Sequence, residues 1–139
     1  LWWNLRDGWP ILSDAITDYF FSKKLAYYYI KRVQENAIVA VNDALEVIAV
    51  NDTFKPAEGK VEISDIEGGK VLFEADFKIP PNGKTLVGNV SGLPSERGML
   101  LIKYEIDGKK QLNHYLYGKP PFDLKKYREW AESLAIKRD

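Results

Sequence analysis

The chain has 139 residues, 45% hydrophobic and 29% charged, with twenty basic side chains balancing twenty acidic ones. That composition is globular, is long enough for a self-supporting core, and gives no electrostatic reason to expect nucleic acid or an anionic membrane as partner. Cysteine is absent and histidine occurs once, which excludes disulfides, thiolate zinc sites, cysteine nucleophiles and multi-histidine metal centres. No cofactor is expected, and no run approaches the roughly 18 apolar residues of a membrane span.

The residues are unevenly distributed. Nine of the 18 aromatics fall in residues 1–29, three in 30–99 and six in 100–139. Residues 1–33 carry net charge +2, residues 34–118 carry −4, and residues 119–139 carry +2. These shifts predict three parts: an aromatic opening, an acidic middle and a basic tail. The chain begins Leu1-Trp2-Trp3 without an initiator Met and reads as a piece cut from something longer.

Taken in order, the opening Leu1-Trp2-Trp3-Asn4-Leu5-Arg6-Asp7-Gly8-Trp9-Pro10 places an amide, a guanidinium and a carboxylate among three indoles. Such a mixture suits sugar binding. The C–H face of a pyranose lies against an indole, and its hydroxyls need polar partners, because a buried unpaired hydroxyl costs about 1–3 kcal/mol. The competing reading makes the indoles core and Arg6–Asp7 a local ion pair; composition alone favours it, since aromatic clusters are mostly core. Next, Ser22 is a plausible N-cap for a helix over 23–34 with Leu25, Ala26, Tyr29 and Val33 as its apolar stripe.

The middle predicts strands. Segments 37–42, 45–51 and 85–91 are weaker ones. Val61 and Ile63 alternate with polar neighbours, as do Val71, Phe73, Ala75, Phe77 and Ile79, and then Leu100, Ile102, Tyr104 and Ile106. A period of two marks a half-buried strand. Asp107-Gly108 between 100–106 and 110–117 is a hairpin signal, because a type I′ turn needs positive φ at both central residues. Glu67-Gly68-Gly69 and Pro80-Pro81-Asn82-Gly83 mark further turns. Seven short antiparallel strands predict an immunoglobulin-like β-sandwich. Last, Asp123 could cap a helix over 124–135 with Leu124, Tyr127, Ala131, Leu134 and Ala135 on one face. His114 shares a strand face with Leu112 and Leu116 and reads as a core or interface residue rather than a catalyst.

The run Trp2-Trp3-Asn4-Leu5-Arg6-Asp7-Gly8-Trp9-Pro10 resembles the Trp-x-Leu-Asn-Asp-x-Trp-Pro stretch near the end of the catalytic barrel in family 2 glycoside hydrolases, the β-mannosidase branch most of all. The resemblance continues through Asp18-Tyr19-Phe20 and Lys24-Leu25-Ala26-Tyr27-Tyr28-Tyr29-Ile30-Lys31-Arg32, which is similar to the family's last barrel helix. It reappears in Asn113-His114-Tyr115 and Gly118-Lys119-Pro120-Pro121-Phe122. Arg6 stands where the branch usually has Asn, and Leu25 where the helix usually has Pro.

The resemblance implies residues 1–33 as strand eight, loop and helix eight of a (β/α)8 barrel, residues 34–118 as a C-terminal immunoglobulin-like domain, and residues 119–139 as a tail helix. It implies Trp3, Asp7 and Trp9 as substrate-binding positions. The partners it implies are a β-linked oligosaccharide or glycoside and the remainder of the barrel. It places the two catalytic glutamates upstream of Leu1, so no catalytic residue is expected in the chain and the chain alone is expected to hydrolyse nothing. Residues 1–12, lacking barrel neighbours, are expected to be irregular, to borrow contacts from the sandwich, or to pair with another copy of the chain. The alternative is a free-standing β-sandwich carbohydrate-binding or adhesion module, with the aromatic opening serving only as packing.

Overall fold

The structure, a computed structural model, describes residues 4–11 and 13–134, so Trp3 lies outside the described residues. The chain divides between Glu35 and Asn36 into two compact units.

The first unit holds an irregular segment followed by helix α1, Leu25–Val33. Residues 4–11 form no strand; an isolated parallel bridge joins Arg6 to Thr17, and an antiparallel one joins Thr17 to Lys23. Helix α1 begins later than its sequence predicts. Lys24 is the N-cap and makes no side-chain capping bond. Ser22 instead donates its backbone N–H to Asp18 Oδ1 at 2.8 Å, closing the preceding turn. Lys31 and Arg32 lie in the last turn, where they complement the helix dipole. The expected apolar stripe is only half-buried, with Ala26 and Val33 exposed.

The second unit is all-antiparallel β with a terminal helix. Its strands are β1 (Ala37–Val41), β2 (Glu46–Asn51), β3 (Ala57–Asp65), β4 (Val71–Ile79), β5 (Gly83–Asn89), β6 (Gly98–Ile106) and β7 (Lys109–Tyr117). They form a three-stranded sheet, β1-β2-β5, and a four-stranded sheet, β4-β3-β6-β7. This is an immunoglobulin-like sandwich in which the fourth strand pairs with the third instead of joining the other sheet.

Register explains the core. Ile63 lies opposite Phe73 on one side and Ile102 on the other, and Val61 opposite Ala75 and Tyr104. The period of two therefore puts one apolar face of β3, β4 and β6 inward. Val39, Val47 and Ala49 come from the facing sheet, and all are fully buried. Each such valine contributes roughly 1.5–3 kcal/mol relative to exposure. The buried Asn113 of β7 donates Nδ2–H to the carbonyl of Val39 in β1 at 3.0 Å, joining the two sheets by a side chain.

Strand β3 starts four residues before its alternation becomes visible. Gly59 occupies an inward position there, and a Cβ would sit 2.1 Å from the Glu105 carbonyl oxygen of β6. The close approach of β6 requires glycine and thereby hides the pattern. The hairpin signal is met: Asp107 and Gly108 have φ of 49° and 81°.

Helix α2, Leu124–Ser133, is capped as predicted, with Asp123 Oδ1 accepting from the backbone N–H of Lys125 and Lys126 at 2.8 and 3.2 Å. It is tied to the sandwich by Lys126 Nζ on Glu67 Oε1 at 2.7 Å. Arg97 Nη1 on the carbonyl of Pro121 at 2.7 Å holds the approach to it. Leu134 is fully buried, whereas Leu124 of the expected stripe is exposed. Among the described residues, no helix is long and apolar enough to cross a membrane.

Candidate functional site

The opening segment is organised around one carboxylate. Asp7 is 3% exposed. A buried carboxylate needs both charge and hydrogen-bond compensation, and Asp7 has both. Its Oδ1 accepts a short bond from the Ser13 hydroxyl. Its Oδ2 lies 2.9 Å from Lys24 Nζ. Lys24 Nζ also donates to the Ser13 carbonyl at 3.0 Å, and Ser13 Oγ accepts from the backbone N–H of Ala15 at 3.0 Å. The Ser13 hydrogen bond first, and then the Lys24 ammonium, hold the Asp7 carboxyl below its ordinary 3.8.

Backbone bonds complete this latch. The Asp7 N–H donates to the Thr17 carbonyl and the Thr17 N–H to the Leu5 carbonyl, both at 3.1 Å. The Lys24 N–H donates to the Ile16 carbonyl at 2.9 Å. Residues 13–17 are thus threaded between the Leu5–Asp7 stretch and the start of α1.

The latch leaves Leu5, Arg6, Trp9 and Ile11 outward. Trp9 is 65% exposed. The expected Arg6–Asp7 ion pair does not form; Lys24 takes that place, and the Arg6 guanidinium lies over the rings of Phe21 at 4.3 Å and Tyr19 at 5.9 Å. Arg6 Nε makes a long bond to the Asp7 carbonyl at 3.4 Å. Phe21 has φ of 68° and Asn4 of 57°. A bulky side chain in that left-handed region carries strain on the order of 1–3 kcal/mol, and here it sets the Phe21 ring beneath the guanidinium.

Of the sequence-predicted positions, then, Asp7 is buried and holds the loop, Trp9 is an uncovered indole, and Trp3 lies outside the described residues. Ser13 and Lys24 were not indicated by the sequence. They stand six and 17 residues from Asp7, with no motif to join them. The other nearby carboxylates are also engaged: Asp14 Oδ1 accepts from Asn4 Nδ2 at 2.8 Å, and Asp18 Oδ1 from the Ser22 N–H at 2.8 Å. A general acid needs a pKa raised toward working pH, and Asp7 is shifted the other way.

A groove of about 730 Å³ lies on the four-stranded sheet, lined by Glu58, Lys60, Asp76, Lys78, Glu105 and Asp107 among others. Lys60 pairs with Glu105 at 3.8 Å and Lys78 with Glu58 at 3.6 Å, so the charges largely answer one another on a solvated face. No cluster of three metal-ligating side chains occurs among the described residues.

No protein-family model matches the chain. It is similar to Beta-mannosidase B of Aspergillus niger, 34% identical over 107 residues, covering 61% of this chain and 13% of that protein. Beta-mannosidase B of Emericella nidulans is 29% identical over 78% of this chain and 16% of its own length. That of Aspergillus fumigatus is 26% identical over the whole of this chain and 17% of its own length. The crystal structure of Beta-D-Mannosidase from Dictyoglomus thermophilum superposes with a TM-score of 0.64 at 28% identity, over 84% of this chain and 16% of that one. The chain therefore spans well under a fifth of the length of the relatives it matches.

Proposed function

From its place in the β-mannosidase-like branch of glycoside hydrolase family 2, we infer that the chain is the C-terminal portion of a retaining exo-β-glycosidase that hydrolyses β-mannoside-like bonds. The observation that carries this reading is the match to proteins named β-mannosidase, by sequence across most of the chain and by superposition.

In this reading the chain supplies part of the sugar pocket and a bracing domain. Trp9 and Trp3 offer indole faces to the sugar ring. Asp7 positions the loop that carries Trp9 and does not itself touch the sugar; its burial and its bonds to Ser13 and Lys24 support that role. A retaining mechanism needs an acid/base and a nucleophile with carboxyl groups about 5–5.5 Å apart. Asp7, Asp14 and Asp18 are each committed to a local partner, which supports assigning both catalytic groups to residues outside this chain.

The test is kinetic. In the polypeptide that carries this chain, Trp9→Ala should raise KM for para-nitrophenyl β-D-mannopyranoside by about tenfold, the loss of one ring contact of about 1.4 kcal/mol. Absence of hydrolysis by that polypeptide would overturn the assignment. Unchanged kinetics in the variant would remove Trp9 from the pocket.

A further inference from the structure

We propose that the outer face of the three-stranded sheet is the surface by which the sandwich docks on the upstream part of the polypeptide that carries this chain. The proposal rests on reading the chain as the C-terminal portion of a longer enzyme. Strand β1 reads Ala-Ile-Val-Ala-Val and β2 reads Glu-Val-Ile-Ala-Val-Asn. A strand covered on one side alternates apolar with polar residues; a nearly unbroken apolar run marks a strand covered on both.

Register places the second set of apolar side chains. Val39, Val47 and Ala49 point into the core and are fully buried, so their neighbours point outward. Ile38 lies opposite Val50, Ala40 opposite Ile48, and Ile48 in turn opposite Leu86 of β5. The first four are half-buried, Leu86 is 59% exposed, and none of the five belongs to the sandwich core. The four-stranded sheet is different. The outward positions of β3 are Glu58, Lys60 and Glu62, paired with Lys78, Glu105 and Lys103 at 3.6, 3.8 and 3.2 Å. That outer face is built for solvent, and the outer face of β1-β2-β5 is not.

Size and charge choose the occupant. An open sheet face does not enclose a small apolar ligand. A membrane surface calls for a basic rim, and the outward polar neighbours on β2 and β5, Glu46 and Lys84, cancel each other. Three strands about 4.8 Å apart and about five residues long give roughly 250 Å² of face. Two copies stacked face to face would bury about 500 Å², half of the roughly 1,000 Å² that a free dimer needs. Contacts between domains of one chain begin near about 600 Å², and a short tether adds an effective concentration on the order of millimolar. Such a tether exists, because residues 34–36 alone separate α1 from β1. The chain covers 13, 16 and 17% of three β-mannosidase relatives, so most of such a polypeptide lies outside it and can supply the matching apolar surface.

Hydroxyl-radical footprinting of the longer polypeptide and of the purified chain is the test. Leu86 should label about fivefold less in the longer polypeptide, as its exposure falls from 59% to that of an interface core. The fully buried Ile63 is the folded reference and should stay protected in both. Leu86→Glu should then raise Ile48 labelling several-fold relative to Ile63 in the longer polypeptide, because an unpaired carboxylate resists burial. That comparison needs only the longer polypeptide, and the position is exposed in this chain, so the substitution leaves the sandwich folded. Equal Leu86 labelling in the two polypeptides would overturn the proposal. So would protection that is lost on dilution, since a second copy would then be the cover, or Ile48 protection that survives Leu86→Glu. Labelling cleaves no glycosidic bond, so its outcome is separate from whether the polypeptide hydrolyses mannosides.

Discussion

Asn51 is the residue on which the end of the sandwich near Phe54 turns, and replacing it should show this quantitatively. Asn51→Ala removes two donated and two accepted hydrogen bonds of 2.7–3.1 Å. At about 0.5–1.5 kcal/mol net for each, the loss lies between about 2 and 6 kcal/mol. The loop and the turn reach solvent, so water recovers part of it, and about 3 kcal/mol is expected. For a unit of this size, that lowers the melting midpoint by on the order of 15 °C.

Asn51→Asp sharpens the test. It keeps the two bonds accepted from Thr53 but points a carboxyl oxygen at the carbonyls of Lys55 and Pro80, where Nδ2 now donates. Burial and the two carbonyls push that carboxyl's pKa above the ordinary value of about 3.9. The folded state then holds its proton more tightly than the unfolded state. Stability is therefore greatest below about pH 4 and falls as pH rises toward the folded pKa. Urea unfolding followed by circular dichroism from acid to neutral pH measures both variants. A loss under about 1 kcal/mol for the alanine variant would refute the reasoning, as would an aspartate variant that tracks the wild-type pH profile.

Three further outcomes are expected. Gly59→Ala drives a Cβ to 2.1 Å from a backbone oxygen of β6 and should cost about 3 kcal/mol or more in urea unfolding; a near-neutral result would mean that β3 and β6 can part. Gly8→Ala, where a Cβ meets nothing within 4 Å, should change stability by less than about 0.5 kcal/mol. Asp7→Asn should speed amide exchange at Thr17 and Lys24. The Asp7 carboxyl is depressed below 3.8 in the fold, so its stabilisation is present above that value and is lost as pH falls through the folded pKa. The difference between wild type and variant should accordingly vanish in acid, and a difference that persists there would show that charge is not what holds the loop.

The strands were legible wherever a two-residue period ran unbroken, as from Val71 to Ile79. The start of β3 was hidden because Gly59, demanded by its neighbour strand, carries no side chain to mark the pattern. Asp123 and the Asp107-Gly108 turn were legible because capping and positive φ are local requirements. Ser22 misled for the same local reason: a good capping residue was used in the turn before the helix. The latch at Asp7 was not legible, since it joins Lys24 to Asp7 across an irregular segment with no period. The aromatic opening pointed to sugar chemistry through residue types, but which of those residues face outward depended on that latch.

The proposed division of labour puts sugar-facing surface in this chain and the bond-breaking carboxylates elsewhere. The most direct measurement is release of para-nitrophenol from its β-D-mannopyranoside by the purified chain, beside the longer polypeptide that carries it, with host glycosidases excluded. The chain should release nothing above buffer while the longer polypeptide turns over. Turnover by the chain itself would contradict the account.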